Sequence, residues 1–396
     1  MDPAWLLLLP VAALSGWFAA RRRYPQSDGQ SSSPTTPDAY FRSLNFLLNE
    51  QHDKALDVLV EALEEHDESL EIQLALGSLF RRRGEIERAT QLHQGLIARP
   101  GLTGDKKGQV LFELANDYFK AGLLDRAENL LVESGSFQQL REPALRLLVQ
   151  VYESEKEWES AIGAATRLNV LTGEKLDIVI AHYHCEVAER YLSVGDNRSS
   201  EKQVSQALAL DPGCARALIL QGRLEASQGM HREAVDSWTR LGEDHPEFLF
   251  EVVHLVKGSA NALDDESLFW HFLDQAVAAS GDERLHLMLI DHLASEKSVG
   301  EAEEALLLWV SETASLVGVH RLLQLRKEGP PQALKLTDVR LLQQAIQKIL
   351  TDRPGYECRF CGFLGKTLHW QCPGCKHWNS TRPRFASVPL DDKEIL

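Results

Sequence analysis

A repeat of about 34 residues constrains the fold of this chain more than any other sequence feature. Counting from a small residue, an aromatic residue follows at three positions, a glycine at seven and an alanine at twelve, as in Gly77, Phe80, Gly84 and Ala89. Further copies that keep most of these offsets begin at positions 43, 115, 149, 188 and 222. A period of this length indicates a unit of two helices that stacks against its neighbours.

The residue types at these offsets fit a pair of antiparallel helices. Small residues let the helices approach closely, the aromatic packs between them, and the glycine ends the first helix in a left-handed conformation. This is the tetratricopeptide pattern, and it predicts six repeats over residues 38–247. The helical spacing of apolar residues continues after Phe248 while the consensus fades, so two or three degenerate helical pairs are expected over residues 248–352.

The N-terminus has the features of a membrane anchor. Residues 4–20 carry no charge and are followed directly by Arg21, Arg22 and Arg23. The uncharged run spans roughly 25 Å as a helix, and positive charge after it favours a retained anchor with the chain in the cytoplasm. We therefore predict a transmembrane anchor at residues 1–23 and a flexible Ser/Pro-rich linker at residues 24–37.

Four of the six cysteines form a second strong signal. They occur as two Cys-x-x-Cys pairs with ten residues between the pairs, namely Cys358, Cys361, Cys372 and Cys375. Two such knuckles can close a tetrahedral site of four thiolates, so we predict that they bind one metal ion. The site would lie in a small module over residues 353–384, followed by a tail at residues 385–396. Four sulfurs suit zinc and iron alike and leave no open position for hydrolysis.

Nearby residues refine this prediction. Gly362 and Gly374 are expected to supply the unusual backbone angles of the knuckles. His369 and His377 are interpreted as surface residues, because four sulfurs already complete the shell.

Charge separates the module from the rest of the chain. The whole chain has 42 Lys and Arg against 58 Asp and Glu, a formal net charge of −16, which argues against nucleic-acid binding as its main role. Residues 353–384 instead carry six Arg or Lys against Glu357, a net charge of +5. We favour docking of the module on the acidic repeats or on a partner. A zinc ribbon that contacts nucleic acid through Arg382 and Arg384 is the alternative.

The sequence gives little sign of an active site. His182, His184 and Cys185 fall in a predicted repeat helix, and we interpret them as packing residues. The arginines at 81–83 are expected to form a solvated turn before Gly84. The sequence has no phosphate-binding glycine loop, serine elbow or His-Glu-x-x-His motif, so we predict that the protein is not an enzyme.

Four segments together resemble one family, the lipopolysaccharide assembly protein B family of Gram-negative bacteria. They read LLLLPVAALSGWFAARRR near the N-terminus, NFLLNEQHDKALDVLVEAL and LGSLFRRRGEIERATQLHQGL in the first repeats, and RPGYECRFCGF…LHWQCPGCKHW near the C-terminus. The order of anchor, repeats and knuckles is more specific than any one of these parts.

The resemblance implies an all-α tetratricopeptide-repeat solenoid with one N-terminal transmembrane helix and a small C-terminal rubredoxin-like domain. It implies that Cys358, Cys361, Cys372 and Cys375 are the ligands of one metal ion, with iron as the family metal and zinc as the other candidate. It also places the protein at the bacterial inner membrane, single-pass and on the cytoplasmic side.

The function implied by the resemblance is regulatory. The family helps the membrane-bound AAA+ metalloprotease FtsH degrade the deacetylase that commits precursor to lipid A. It also coordinates lipopolysaccharide synthesis with transport proteins, and no nucleic-acid partner is expected. Two other classes stay open on the residues alone: a rubredoxin-like electron carrier with the repeats as a docking platform, and a nucleic-acid-binding zinc-ribbon scaffold.

Overall fold

The computed structural model describes the main body of the repeats and the C-terminal module. The described residues are Phe46, Lys54, Asp57, Val58, Val60, 69–313, 315–328 and 354–384. The predicted anchor, linker and tail, and most of the first repeat copy, lie outside this set. None of the helices that the structure describes is long and apolar enough to cross a membrane.

The chain divides into two compact units, Met1–Leu147 and Leu148–Leu396. Helices of the first unit are α1 (Leu70–Arg82), α2 (Ile86–Ile97), α3 (Gly104–Lys120) and α4 (Leu124–Ser134). Helix α5 (Arg141–Glu155) spans the division.

The second unit continues with further helices. They are α6 (Trp158–Thr172), α7 (Asp177–Ser193), α8 (Asn197–Leu210), α9 (Ala215–Ser227), α10 (His231–Thr239), α11 (Leu241–Asp244), α12 (Leu249–Ala262), α13 (Glu266–Ser280), α14 (Glu283–Glu296), α15 (Val299–Thr313) and α16 (Leu316–Glu328). A short 3-10 helix, Pro246–Phe248, precedes α12. The mainly helical, tetratricopeptide-type architecture is therefore confirmed, while the domain boundaries stay predictions.

The turn inside each of the five helical pairs from α1–α2 to α9–α10 has the left-handed residue that the repeat predicts. Gly84, Gly122, Gly195 and Gly229 have φ between 76° and 81°, and Lys156 occupies the same position with φ 59°. The conformation is thus kept even where the glycine is missing. It lets the following amide return to the end of the first helix, as in the 2.9 Å bond from the Glu157 amide to the Tyr152 carbonyl.

Small residues at the first repeat offset make room for a ring on the second helix. A Cβ atom placed on Gly77 would lie 2.3 Å from His93 Nε2, and one placed on Gly222 would lie 2.3 Å from Trp238 Nε1. Both rings are buried. In these two repeats the small residue therefore makes room for a large side chain of the second helix.

Three short strands follow the helices. They are β1 (Tyr356–Cys358), β2 (Leu364–Gly365) and β3 (Thr381–Pro383), in the antiparallel order β2-β1-β3. A sheet of this size buries little apolar surface by itself, so the module depends on a metal or on its neighbours for stability.

Candidate metal centre and its contact with the helices

Two turns of the same hydrogen-bonding pattern hold the four cysteines. In the first knuckle the Cys358 amide donates to the Phe363 carbonyl and the Gly362 amide donates to the Cys358 carbonyl, both at 2.9 Å. The second knuckle repeats both bonds around Cys372, with N···O distances of 3.0 and 2.9 Å. The sequence spacing therefore folds as a pair of equivalent loops.

The left-handed residue of each knuckle directly follows its second cysteine. Gly362 has φ 72°, as expected, but the corresponding residue of the second knuckle is Lys376, with φ 60°. The expectation for Gly374 was wrong, since that glycine is absent from the left-handed residues of the described chain. A Cβ there would lie 3.5 Å from Cys361 Sγ, so Gly374 packs beside the cluster.

The four predicted cysteines come together in the structure. All four sulfur atoms lie within 4.8 Å of one another, and Cys358–Cys375 and Cys361–Cys372 are each separated by 3.7 Å. Metal–sulfur bonds of about 2.3 Å place tetrahedral ligands about 3.8 Å apart. The sulfurs are thus too far apart for disulfides and spaced for one metal ion.

Hydrogen bonds around the sulfurs favour a negative cluster. Burial opposes ionisation, but the Ser380 hydroxyl and the backbone amides of Cys361 and Phe360 lower the pKa of Cys358 to about 6. At Cys375 the His377 amide favours the thiolate, yet desolvation and the other thiols raise the pKa to about 12. Loading the site with metal must therefore release protons, so metal binding weakens as the pH falls.

The remaining candidate ligands lie apart from the cluster. Ring contacts place His377 on Phe360, while His369 lies beside Thr367. Cys185 and Cys214 are buried together in the packing of α7 to α9. Within the described residues, the four knuckle cysteines alone form a metal-sized group.

One carboxylate joins the module to the helices. Glu153, near the end of α5, accepts hydrogen bonds at 2.7 Å from the Trp378 indole and from the Tyr183 hydroxyl. Burial first, and then the Glu153 charge, raise the pKa of Tyr183, so the phenol stays a donor. A single acidic side chain therefore ties the second knuckle to α5 and α7.

Two tryptophans of the module enclose a buried histidine. His182 of α7 lies between Trp370 and Trp378, with ring centroids 5.7 and 5.5 Å away. Trp370 also packs against Phe248 at 5.2 Å. His182 is therefore a packing residue, as predicted, but it packs against the C-terminal module as well as within the helices.

A second set of contacts involves β1, β3, the 3-10 helix Pro246–Phe248 and the start of α12. The Tyr356 hydroxyl donates to Glu251 at 2.6 Å, and Arg382 forms an ion pair with Glu247 at 3.2 Å. Arg384 pairs with Glu357. The two arginines that a nucleic-acid interface would need are thus engaged within the chain, which favours the docking interpretation.

Sequence reasoning missed the helical half of this interface. Glu153 is 225 positions from Trp378, and Glu251 is 105 positions from Tyr356. No local motif marks either carboxylate, because each resembles an ordinary acidic residue of a helix surface. The interleaved aromatics of the module were the available signal.

The first unit also corrects one expectation. Arg81 of α1 is mostly buried and pairs with Glu113 at 2.5 Å and Asp117 at 2.7 Å on α3. Asp117 in turn contacts His93. The solvated turn expected for the arginine triplet was therefore wrong for Arg81, which joins two helices through buried charge.

A four-thiolate module docked on tetratricopeptide-type helical pairs defines a class of protein, the metal-binding repeat scaffold. Family models agree: a rubredoxin metal binding domain matches residues 356–383, and a tetratricopeptide repeat matches residues 188–243. Among solved structures, MamA protein aligns with a TM-score of 0.32 and 20% identity, over 45% of this chain and 93% of that one.

Full-length relatives identify the family. Lipopolysaccharide assembly protein B of Escherichia coli (strain K12) is 30% identical over 377 residues, covering 95% of this chain and 97% of the relative. The protein of the same name from Haemophilus influenzae is 29% identical over 387 residues, with the same coverage. The chain belongs to the lipopolysaccharide assembly protein B family.

Proposed function

We propose that this protein is a non-enzymatic adaptor in lipopolysaccharide assembly, anchored in the inner membrane with its repeats in the cytoplasm. In this proposal it promotes FtsH-dependent proteolysis of the deacetylase that commits precursor to lipid A. It also coordinates the proteins of lipopolysaccharide synthesis and transport. The observation that carries the proposal is the match to lipopolysaccharide assembly protein B over 97% of that relative.

The proposed metal ligands are Cys358, Cys361, Cys372 and Cys375. Iron is the metal implied by the family, and zinc fits the same four sulfurs. The bound ion would hold the two knuckles together, since the three short strands have little core of their own. The 3.7 Å sulfur separations support this role.

The proposed anchor gives the adaptor its location. Residues 1–23 would confine the repeats to a layer beside the membrane, and residues 24–37 would serve as the tether. Confinement raises the effective concentration of membrane-bound partners without any new contact. Residues 38–247 and 248–352 would then present the helical surfaces that bind them.

The test measures the lifetime of the deacetylase in cells. We expect the enzyme to persist longer when residues 1–23 are deleted, and equally long when FtsH is inactivated. Replacing residues 1–23 with an unrelated transmembrane helix should restore rapid turnover, because only the location is required. Normal turnover with the anchorless protein would contradict the tethering proposal.

One observation keeps an electron-transfer role as the second candidate. Cys361 is exposed while Cys358 and Cys372 are buried, so one edge of the cluster reaches solvent. A zinc-loaded protein cannot change its redox state. Full function with zinc would therefore exclude electron transfer, whereas loss of function with zinc and recovery with iron would support it.

A further inference from the structure

The module has exposed side chains that do not contact the helices. Contacts with the helices involve Tyr356, Trp370, Trp378 and Arg382. A different set of residues faces solvent. We call this set the knuckle face, and it consists of Arg359, Phe360, Leu364, Lys366, Lys376 and His377.

The centre of the knuckle face is apolar. The Phe360 ring is 67% exposed and Leu364 is 47% exposed. Phe360 stacks on His377 with ring centroids 3.7 Å apart, so the ring of the first knuckle is held in place by the second. Such a preorganised exposed aromatic loses little conformational freedom when a partner covers it.

The rim of the knuckle face is cationic. Arg359, Lys366 and Lys376 are exposed, and none of them forms an ion pair with another described residue. The other two arginines of the described module, Arg382 and Arg384, are both paired. Arg359 and Lys376 adjoin the stacked rings of Phe360 and His377 in the chain, and Lys366 is two residues beyond Leu364. Glu357, the cross-strand neighbour of Leu364, is compensated by Arg384. The unpaired charge of this set is therefore positive, on a chain whose net charge is −16.

The charge pattern selects among possible partners. The screening length at physiological salt is about 8 Å, so a short acidic segment seated on Phe360 and His377 interacts mainly with the cations beside these rings and little with the rest of the chain. An extended anionic surface, such as a membrane or a nucleic acid, would also meet the acidic helices. The face thus fits a small acidic site on another protein.

We propose that the knuckle face binds an acidic segment of a partner protein. The segment places an apolar side chain on Phe360 and carboxylates beside Arg359, Lys366 and Lys376. The inference rests on the proposed adaptor function only in that it requires a protein partner, and it names the surface that receives one.

The experiment places a photo-crosslinking benzophenone amino acid at Phe360 in the full-length protein, in cells of its own host. We expect crosslinks to a peptide rich in Asp and Glu. The variant Arg359→Glu/Lys366→Glu/Lys376→Glu should lower the yield about tenfold. A matched control, Lys175→Glu/Lys202→Glu/Arg223→Glu, changes the net charge equally on the repeats and should leave the yield unchanged.

Two further readouts keep the result decisive. The first is the metal content, which shows whether the module of each variant is folded. The second is the salt dependence: for the protein with benzophenone at Phe360 and no other change, raising the salt in isolated membranes should lower the crosslink yield. Crosslinks to lipid or nucleic acid, no crosslink, or equal loss in the control variant would overturn the inference. Deacetylase turnover is measured separately. If turnover does not depend on this protein, the proposed function fails, while the crosslink result still tests the binding of an acidic segment.

Discussion

At the scale of single residues, two positions hold conformations or environments that their side chains do not favour. Lys156 adopts the left-handed turn conformation that Gly84, Gly122 and Gly195 adopt elsewhere. His182 is buried with no hydrogen-bond partner on either ring nitrogen. Each gives a prediction that depends on one side chain.

Replacing Lys156 by glycine should stabilise the protein. Glycine removes the steric penalty of the left-handed conformation but makes the unfolded chain more flexible. We expect the first effect to outweigh the second by about 0.5–1 kcal/mol in the free energy of unfolding. The midpoint of urea unfolding measures the change. The reverse substitution, Gly195→Lys, should lower the midpoint; a lower midpoint for Lys156→Gly would show that the lysine side chain makes a compensating contact.

The docked module should loosen in mild acid because of His182. Burial, followed by the positive charges of Arg216 and Arg382, lowers the pKa of His182 to about 3. The released ring would have its ordinary pKa near 6.5, so the docked form is favoured above that pH and loses stability as the pH falls towards 3. The loss attributable to His182 is about 2 kcal/mol at pH 5.

The measurement compares urea unfolding of the wild-type protein and His182→Phe at pH 7 and pH 5. The phenylalanine ring keeps the packing against Trp370 and Trp378 but cannot be protonated. We therefore expect the variant to lose less stability between the two pH values. Parallel losses in both proteins would mean that His182 does not titrate at this interface.

At the scale of secondary-structure elements, the paired helices compensate for each other's side-chain size. The residue at the first offset and the buried residue sixteen positions later vary inversely in size. The pairs are Gly77/His93, Ala115/Leu131, Val149/Ala165, Ala188/Val204 and Gly222/Trp238. The smallest first residues are therefore matched with rings, and the largest first residue with an alanine.

Gly222→Ala tests this compensation. The added methyl group would lie 2.3 Å from the Trp238 ring, and overpacking of this kind destabilises by about 1–3 kcal/mol. Adding Trp238→Phe should recover part of the loss, which a double-mutant cycle would report as coupling. The matched control is Gly258→Ala in α12, where a Cβ meets nothing within 4 Å and should be neutral or stabilising. Equal effects of the two glycine substitutions on stability would show that Gly222 does not make room for Trp238.

At the scale of the whole molecule, the contact between module and helices links metal binding to the repeats. Trp378, Glu153 and Tyr183 form a chain of hydrogen bonds from the second knuckle into α7. Loss of the metal should unfold the knuckles and remove the contact between the module and α7. The stability of α7 would then depend on metal occupancy.

Hydrogen exchange measures this dependence. On chelation of the metal, amides of α7 should exchange at least about tenfold faster, whereas those of α3 should keep their rates. The variant Glu153→Gln should show a smaller acceleration with the metal still bound, because it weakens one link of the contact. Unchanged exchange in α7 after chelation would show that the module is not coupled to the helices.

Whether a feature can be predicted from the sequence depends on how far apart along the chain its interacting residues lie. The four cysteines and the left-handed position of each repeat were predictable, because each depends on residues a few positions apart. Glu153 and Glu251 were not, since their partners are more than a hundred positions away. Gly374 was misinterpreted because its small size serves packing against Cys361 instead of a backbone angle.

In the proposed function, the metal-loaded module is part of the working adaptor. The most direct measurement is the half-life of the lipid A-committing deacetylase in cells that carry Cys358→Ser/Cys361→Ser in the full-length protein. The control is Cys185→Ala/Cys214→Ala, which removes two thiols outside the cluster. We expect a prolonged half-life with the first pair of substitutions and a normal half-life with the control pair. A normal half-life in cells whose protein holds no metal would contradict it.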